Sequence, residues 1–265
     1  MKHACSCSPV GRPVRIPRIG GDRTAIRGGA CISEQFDGVA SDYRDLVTKA
    51  NRLSGRSHSF FVAEKARVLD ALSSEIVGTH RSLLDVGCGT GTVHSRMMDA
   101  GWSVTGVDPS SESIERAEHE NPGASYLSAR ATEIPLAGDA FDMASAVCVF
   151  HHVPPPDRPR VASEMARLVR PGGVVAIVEH APHHPYTRHS VAHCPFDDDA
   201  ILLRRAETER LLRNAGLGAV RTRYISWTPL GHGLNSTIER VAGALPFGTQ
   251  YVTFGLVVSQ AQESP

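Results

Sequence analysis

The stretch Leu83-Leu84-Asp85-Val86-Gly87-Cys88-Gly89-Thr90-Gly91 decides how the rest of the chain is interpreted, because an apolar run leads directly into three alternate glycines. Glycine has no Cβ, so such a loop turns sharply and lets the backbone approach a ligand closely. A helical pattern follows the loop, and the N-terminus of a helix offers free N–H groups. The stretch therefore predicts a buried strand, a ligand-binding loop and a helix, in that order.

A carboxylate follows this loop at the end of the next predicted strand. Asp108, in Val107-Asp108-Pro109, comes seventeen residues after Gly91, where an acid in nucleotide-binding folds accepts ribose hydroxyls. A dinucleotide-binding loop has the pattern G-x-G-x-x-G, whereas the third glycine here comes one residue early. This spacing leaves less room for a pyrophosphate. It favours a cofactor with ribose and adenine but no phosphates, which points to S-adenosylmethionine.

Strand-like and helix-like patterns alternate through the middle of the chain. Such alternation is typical of parallel strands joined by crossover helices, so it predicts an α/β fold. The predicted strands are residues 82–86, 103–107, 124–127, 143–149, 174–178, 222–227 and 250–258. The predicted helices lie near 36–47, 60–72, 93–100, 110–120, 157–169, 206–215 and 234–245. Asp157 is expected to cap the helix at 157–169, and Pro171-Gly172-Gly173 to end it.

The composition excludes several classes of protein. The 265 residues carry 28 basic and 28 acidic side chains, so no global field gathers nucleic acid. Apolar runs are far shorter than the roughly 20 residues needed to span a bilayer. We expect no nucleic-acid partner and no membrane segment. Six scattered cysteines and an amino terminus without a secretory apolar stretch predict a cytoplasmic protein.

The glycine loop resembles motif I of class I S-adenosylmethionine-dependent methyltransferases. The similarity continues through Ile134-Pro135-Leu136, Phe141-Asp142, Phe150-His151-His152-Val153 and Leu168-Val169-Arg170-Pro171-Gly172-Gly173. Together these segments look like the small-molecule branch that includes the ubiquinone-type enzymes, over about residues 34–258. The resemblance implies a Rossmann-like, seven-stranded, mostly parallel sheet with helices on both faces and an antiparallel last strand. It also implies S-adenosyl-L-methionine as cofactor.

The resemblance further implies a set of cofactor-binding residues. Asp85 would work near the methionine amino group, Asp108 would hold the ribose, and Cys148 would face the methionine portion. Tyr43 either closes over the cofactor or belongs to the core. The full set is Tyr43, Asp85, Gly87, Cys88, Gly89, Gly91, Asp108, Pro109, Arg130, Ala131, Thr132 and Cys148.

Arg130 departs from the family pattern. Family members usually place Asp at this position to accept a hydrogen bond from the adenine amino group, and Arg has no acceptor. Either backbone groups read the adenine, or the Arg130 guanidinium stacks on the ring.

Histidines at strand ends are the candidates for a catalytic base. His151 and His152 follow the fourth predicted strand, and His180 follows the fifth, beside Glu179, which could orient its ring. The carboxyl ends of neighbouring parallel strands are where ligands bind. One member of the pair His151 and His152 has an alternative role in ordering the loop.

A second group of histidines lies further along the chain. The stretch His183-His184-x4-His189-x3-His193-Cys194 is consistent with a metal site or with a histidine-rich cap over the active site, and we predict no metal. The following segment, Cys194-Pro195-Phe196-Asp197, looks like a subgroup of the family that tailors glycosides or secondary metabolites.

These observations predict an enzyme that methylates a small-molecule acceptor, as a monomer or homodimer. The alternatives are a non-methylating user of the same cofactor, such as a decarboxylase or cyclase, and a catalytically silent partner subunit. Residues 1–33, which are rich in Pro, Gly and Arg, are expected to be a flexible extension. Residues 34–265 are expected to form one domain, with a helical lid at 34–75 and acceptor-side insertions at 181–204 and 228–249.

Overall fold

The computed structural model describes residues 58–76, 81–194, 197, 200–225 and 248–258. The predictions about the extension at 1–33, the helix at 36–47 with Tyr43, and the helix at 234–245 fall outside these residues.

One sheet organises the described part of the chain. Its order is β3-β2-β1-β4-β5-β7-β6. The first five strands pair in parallel, and β7 runs antiparallel to both of its neighbours. The strands are β1 (Ser82–Val86), β2 (Ser103–Asp108), β3 (Ser125–Ser128), β4 (Phe141–Val147), β5 (Val169–His180), β6 (Leu217–Ile225) and β7 (Gln250–Val257). The predicted seven-stranded, mostly parallel α/β fold is confirmed.

Helices cover both faces of the sheet, as predicted. They are α1 (His58–Ala71), α2 (His94–Asp99), α3 (Ser111–Glu120), α4 (Arg158–Leu168), α5 (Pro185–Ala192) and α6 (Arg205–Asn214). The apolar sides of α4 and α6 pack on one face of β1, β4 and β5, while α1 and α2 pack on the other face. The central strands are buried on both sides, which explains their continuous apolar sequence.

Three strands begin earlier than the sequence predicts, β4 by two residues and β5 and β6 by five each. The start of β5 lies at Val169, so Pro171-Gly172-Gly173 lies inside the strand and not at the end of a helix. An irregularity in the pairing of β4 with β5 accommodates these residues, and a Cβ on Gly173 would lie 2.6 Å from the Asp142 carbonyl oxygen. The start of β6 lies at Leu217, not at residue 222, because it pairs with β7 from Leu217 onward. Tertiary pairing overrides local turn chemistry at the starts of β5 and β6.

The order of the strands fixes where a ligand can bind. From β1 the chain moves outward to β2 and β3, and it then returns to place β4 on the other side of β1. A crevice opens at the carboxyl ends of the two strands on either side of such a reversal. The glycine loop and the histidine pair follow these two strands, so both reach this crevice.

Arg158 joins three separate segments behind the crevice. It takes the N1 position of α4, and the Asp157 side chain makes no capping hydrogen bond, contrary to expectation. The guanidinium, 1% exposed, donates to the Val153 and Ile201 carbonyl oxygens at 3.0 and 2.6 Å, and to the Glu207 carboxylate at 2.7 Å. These bonds connect the histidine-bearing loop to the chain that leads into α6.

No helix in the described ranges combines the length and the apolar character that crossing a membrane requires.

Candidate functional site

The glycine loop has the left-handed backbone that its sequence predicts. The φ angles of Gly87, Gly89 and Gly91 are +71°, +51° and +67°, a region that other residues rarely adopt. A Cβ on Gly87 would lie 2.7 Å from Val149, whereas a Cβ on Gly89 would have no atom within 4 Å. Gly89 therefore presents bare backbone to open space in the crevice.

Asp108 fixes the loop from the neighbouring strand. Its Oδ2 accepts the Gly89 N–H at 2.9 Å, and its Oδ1 accepts the Ser110 N–H at 2.9 Å. Each carboxylate oxygen can accept more than one hydrogen bond. Asp108 is 9% exposed and lines the crevice, so its carboxylate both holds the loop and borders the crevice.

Asp85 belongs to a buried hydrogen-bonded group that sequence reasoning missed. Its Oδ1 accepts the Ser145 hydroxyl at 2.6 Å, and its Oδ2 lies 3.1 Å from His94 Nε2. The other ring nitrogen of His94 lies 2.8 Å from the Tyr126 hydroxyl. Burial, followed by the charge of nearby groups including Cys88, raises the pKa of Tyr126 far above its usual value. The tyrosine therefore stays neutral.

One pocket collects most of the residues predicted from the sequence. It is lined by Asp85, Gly87, Cys88, Gly89, Asp108, Pro109, Arg130, Ala131, Thr132, Cys148, His151, His152 and His180. Gly91 is not among its lining residues. A Cβ there would clash with His94, Asn121 and Tyr126 at 2.8 to 2.9 Å. The absence of a Cβ at Gly91 therefore lets these three side chains pack closely against the loop.

Cys148 lines this pocket, beside Lys65 of α1 and Gln250 of β7. Its Sγ is 3.2 Å from the Lys65 ammonium of α1 and 3.5 Å from Gln250 Nε2. Burial alone would raise the pKa of the thiol, but the charge of Lys65 and the neighbouring His180 lower it to about 6. The residue also has a φ of +59°, which is unusual for a side chain with a Cβ. The Cys148 side chain is half-buried, and its lowered pKa favours the thiolate at neutral pH.

Glu179 contacts a different histidine from the one that its position in sequence indicates. Its carboxylate lies 2.7 Å from His151 Nδ1 and accepts the Phe150 N–H at 2.8 Å. Only the backbone N–H of His180 reaches it, at 3.3 Å. The His180 ring lies 3.5 Å from Gln250 Nε2, and its centroid is 5.2 Å from that of the His151 ring.

Asp197 closes a group of acidic and basic side chains around His151. Its Oδ1 lies 3.4 Å from His151 Nε2 and 3.5 Å from His152 Nε2. Burial lowers the pKa of His151, but the two carboxylates beside it raise the value well above the usual range. Burial and the charge of His151 lower the pKa of His152 to about 3.

The second histidine stretch does not form the expected cap. The His189 and His193 rings lie 4.1 Å apart, but α5 ends at Ala192, and neither residue lines the pocket. From this part of the chain the pocket takes Tyr186, Thr187, Ser190 and Cys194.

Comparison with known sequences identifies a domain in the centre of the chain. Residues 84–177 match a family described as a methyltransferase domain. An uncharacterized methyltransferase of Synechocystis sp. is 28% identical over 112 residues, which are 42% of this chain and 53% of that relative. One of Mycobacteroides abscessus is 35% identical over 102 residues, which are 37% of this chain and 39% of the relative. This chain therefore covers about half or less of these curated relatives.

Comparison with solved structures extends over more of the chain. A Thermotoga maritima protein described as a SAM-dependent methyltransferase, possible histamine N-methyltransferase, superposes with a TM-score of 0.64 at 20% identity, over 86% of this chain and all of that one. Magnesium protoporphyrin IX methyltransferase of Synechocystis, solved with bound SAM, has a TM-score of 0.57 at 16% identity, over 86% and 95% of the two chains. The chain therefore shares its fold with solved SAM-dependent methyltransferases, as the resemblance in the sequence predicts.

Proposed function

We propose that this protein is an S-adenosylmethionine-dependent methyltransferase whose acceptor is a small molecule, such as a glycoside or secondary-metabolite intermediate. One observation carries the proposal. The glycine loop and the carboxylates of Asp85 and Asp108 line the same pocket as a cluster of histidines. One end of the pocket therefore has groups suited to a ribose and an amino acid, and the other end has groups suited to an acceptor.

The residues at the loop end fit S-adenosylmethionine. Open space beside Gly89 leaves room for a ligand against bare backbone. Each carboxylate oxygen of Asp108 accepts a backbone N–H, and such an oxygen can accept more than one hydrogen bond, so the carboxylate would also accept the two ribose hydroxyls. Asp85, held by Ser145 and His94, would accept the methionine amino group.

The adenine end is supported by the turn that follows β3. Ala131 and Thr132 line the pocket on the same side as Asp108 and would edge the adenine, while the exposed Arg130 would stack on it. Pro109, Gly87 and the Cys88 backbone complete the proposed cofactor site.

The chemistry assigned to this chain is alignment and proton removal. When bound, the cofactor supplies a methyl group on a positively charged sulfur, so the protein need only position an acceptor and remove its proton. We assign proton removal to His180, whose ring lies beside Gln250 in the pocket. His151 is less suited, because both of its ring nitrogens face carboxylates.

Cofactor binding is tested with S-adenosylmethionine and its demethylated product by calorimetry. Asp108→Ala should weaken both by about 1–3 kcal/mol, the cost of leaving hydroxyls without a charged acceptor. Asp99→Ala makes the same change at an exposed position outside the pocket and should have no effect. Unchanged affinity in a folded Asp108→Ala variant would remove this residue from the site.

The reaction is tested with methyl-labelled cofactor and extracts that contain candidate acceptors. A methyltransferase moves the label to a product, a decarboxylase leaves the methyl group on the cofactor fragment, and a silent subunit consumes no cofactor. With the acceptor in hand, His180→Gln should lower kcat by about 10²–10⁴-fold while cofactor affinity stays unchanged. A loss of only a few-fold would show that alignment alone suffices.

A further inference from the structure

Three side chains in the pocket have no part in the proposed cofactor site. His151 and His152 lie in the loop after β4, and Asp197 lies beyond α5. Each offers one ligand atom, an imidazole nitrogen or a carboxylate oxygen, and these three atoms all lie within 4.8 Å of one another. Segments more than forty residues apart in sequence thus bring two imidazoles and a carboxylate to one point.

The distances in this cluster are too long for good hydrogen bonds. Oδ1 of Asp197 is 3.4 and 3.5 Å from the two Nε2 atoms, whereas N–H···O bonds measure about 2.7–3.2 Å. Two ligands of one tetrahedral ion, with bonds of about 2.0–2.2 Å, lie about 3.3–3.6 Å apart. The spacing is that of ligands around a small cation.

Glu179 supplies the outer support that a metal-binding histidine requires. It lies 2.7 Å from His151 Nδ1 and is fixed in turn by the Phe150 N–H. Metal-ligating histidines usually give their other ring nitrogen to such a carboxylate, which orients the ring. Here that contact directs His151 Nε2 toward Asp197.

Charge and access agree with this arrangement. In the described part of the chain, the ion pairs of Glu179 and Asp197 are made with His151 and His152. The two carboxylates carry two negative charges, and a divalent ion that takes the place of the His151 proton would balance both. The side chains of His152 and Asp197 are 14% and 12% exposed, and both line the pocket. The cluster is shielded but has an open side.

We propose that His151, His152 and Asp197 bind one divalent first-row transition-metal ion, with Glu179 positioning His151. Imidazole nitrogen and carboxylate oxygen suit Zn²⁺, Fe²⁺ or Mn²⁺, whereas Mg²⁺ and Ca²⁺ prefer oxygen ligands alone. Three protein ligands leave coordination positions that face the pocket. An oxygen atom of a small molecule bound in the pocket is the kind of ligand that fits these open positions. This proposal departs from the expectation, drawn from the sequence, that the chain binds no metal.

The proposal is tested on full-length, untagged protein stripped with a chelator. Cys5→Ser and Cys7→Ser form the background, which removes two closely spaced thiols of the ligand type that soft metals prefer. Calorimetry with Zn²⁺ and visible absorption with Co²⁺ should show one ion per chain, and Mg²⁺ should not compete. His152→Ala and Asp197→Asn should each weaken Zn²⁺ binding by about 100-fold or more, and Glu179→Gln by about 10–100-fold.

His189→Ala is the matched control, because it alters a histidine pair outside the pocket. It should leave the affinity unchanged. Circular dichroism establishes that each variant is folded, and Asp197→Asn, the mildest change, decides the test if His152→Ala unfolds. Absence of one-to-one binding, equal affinity in Asp197→Asn, or loss of binding in His189→Ala would overturn the proposal. Because the readout is metal binding, its failure leaves the methyltransferase proposal standing.

Discussion

Replacing Lys65 should change the ionisation of Cys148, although the two residues are far apart in sequence. The Lys65 ammonium lies 3.2 Å from the sulfur, and with it the pKa of the thiol is about 6. The thiol also faces His180 and Gln250, with Glu179 nearby as the group that opposes ionisation. Lys65→Met removes the charge and keeps most of the length of the side chain.

The size of the effect follows from the contact. An opposite charge at this range lowers a pKa by about 1–3 units, so the variant thiol should titrate between about pH 7 and 9. At pH 7 the ionised fraction would fall from about 90% to between about 50% and 1%. A less acidic thiolate is intrinsically more nucleophilic, which offsets part of the loss in rate. The midpoint of the pH profile is therefore the quantity to measure.

The assay is alkylation by iodoacetamide from pH 5 to 9, with modification at Cys148 quantified by mass spectrometry of its peptide. In the wild-type protein the rate should rise with pH through about 6 and level off above 7. Lys65→Arg keeps the charge and should keep the midpoint within about one unit. S-adenosylmethionine should protect the thiol, because it is proposed to occupy the same pocket.

Two results would refute this reasoning. A wild-type midpoint near the ordinary thiol value of about 8.5 would mean that the Lys65 contact does not act in solution. An equal midpoint in Lys65→Met would assign the low pKa to the remaining neighbours.

Three further predictions concern stability and packing. Gly91→Ala should lower the melting temperature more than Gly89→Ala, because only a Cβ on Gly91 would clash with neighbouring atoms. Gly89→Ala should weaken cofactor binding more than Gly91→Ala. Thermal unfolding and cofactor titration measure the two effects. Hydrogen bonds and an ion pair lower the pKa of Asp142 despite its burial. Asp142→Asn should therefore lower the free energy of unfolding by about 1–3 kcal/mol at pH 7. Urea unfolding should show this difference shrinking as the pH falls below about 4, because the wild-type carboxylate becomes protonated. Arg158→Met should cost about 3 kcal/mol, the lower end for a buried pair because Glu207 is partly exposed, and an unchanged urea midpoint would contradict this.

The fold and the loop end of the site could be predicted because their signals are local. Asp85 and Asp108 lie at the carboxyl ends of β1 and β2, and Gly87 and Gly89 follow β1. Parallel strands bring their carboxyl ends together whatever lies between them. The sequence therefore indicates both the elements and the edge of the sheet where they meet.

The contacts at the histidine end could not be predicted, because they depend on three-dimensional placement. No local sequence pattern indicates that Asp197 lies beside His151, or that Lys65 of α1 lies beside the sulfur of Cys148. Glu179 is next to His180 in sequence, yet its carboxylate contacts the side chain of His151 from the loop after β4. His94 gave no signal as a partner of Asp85, since a histidine at the start of a helix is ordinarily exposed.

The three bonds of Arg158 have a consequence for how the pocket opens. The Ile201 N–H also donates to the His151 carbonyl oxygen at 2.9 Å, so the histidine loop, the start of α4 and the lead into α6 share one set of contacts. Elements joined in this way open as a cooperative unit. We expect slow amide hydrogen exchange at Ile201, with the same opening free energy as the amides of the histidine loop. The histidine loop, the start of α4 and the lead into α6 would then open together.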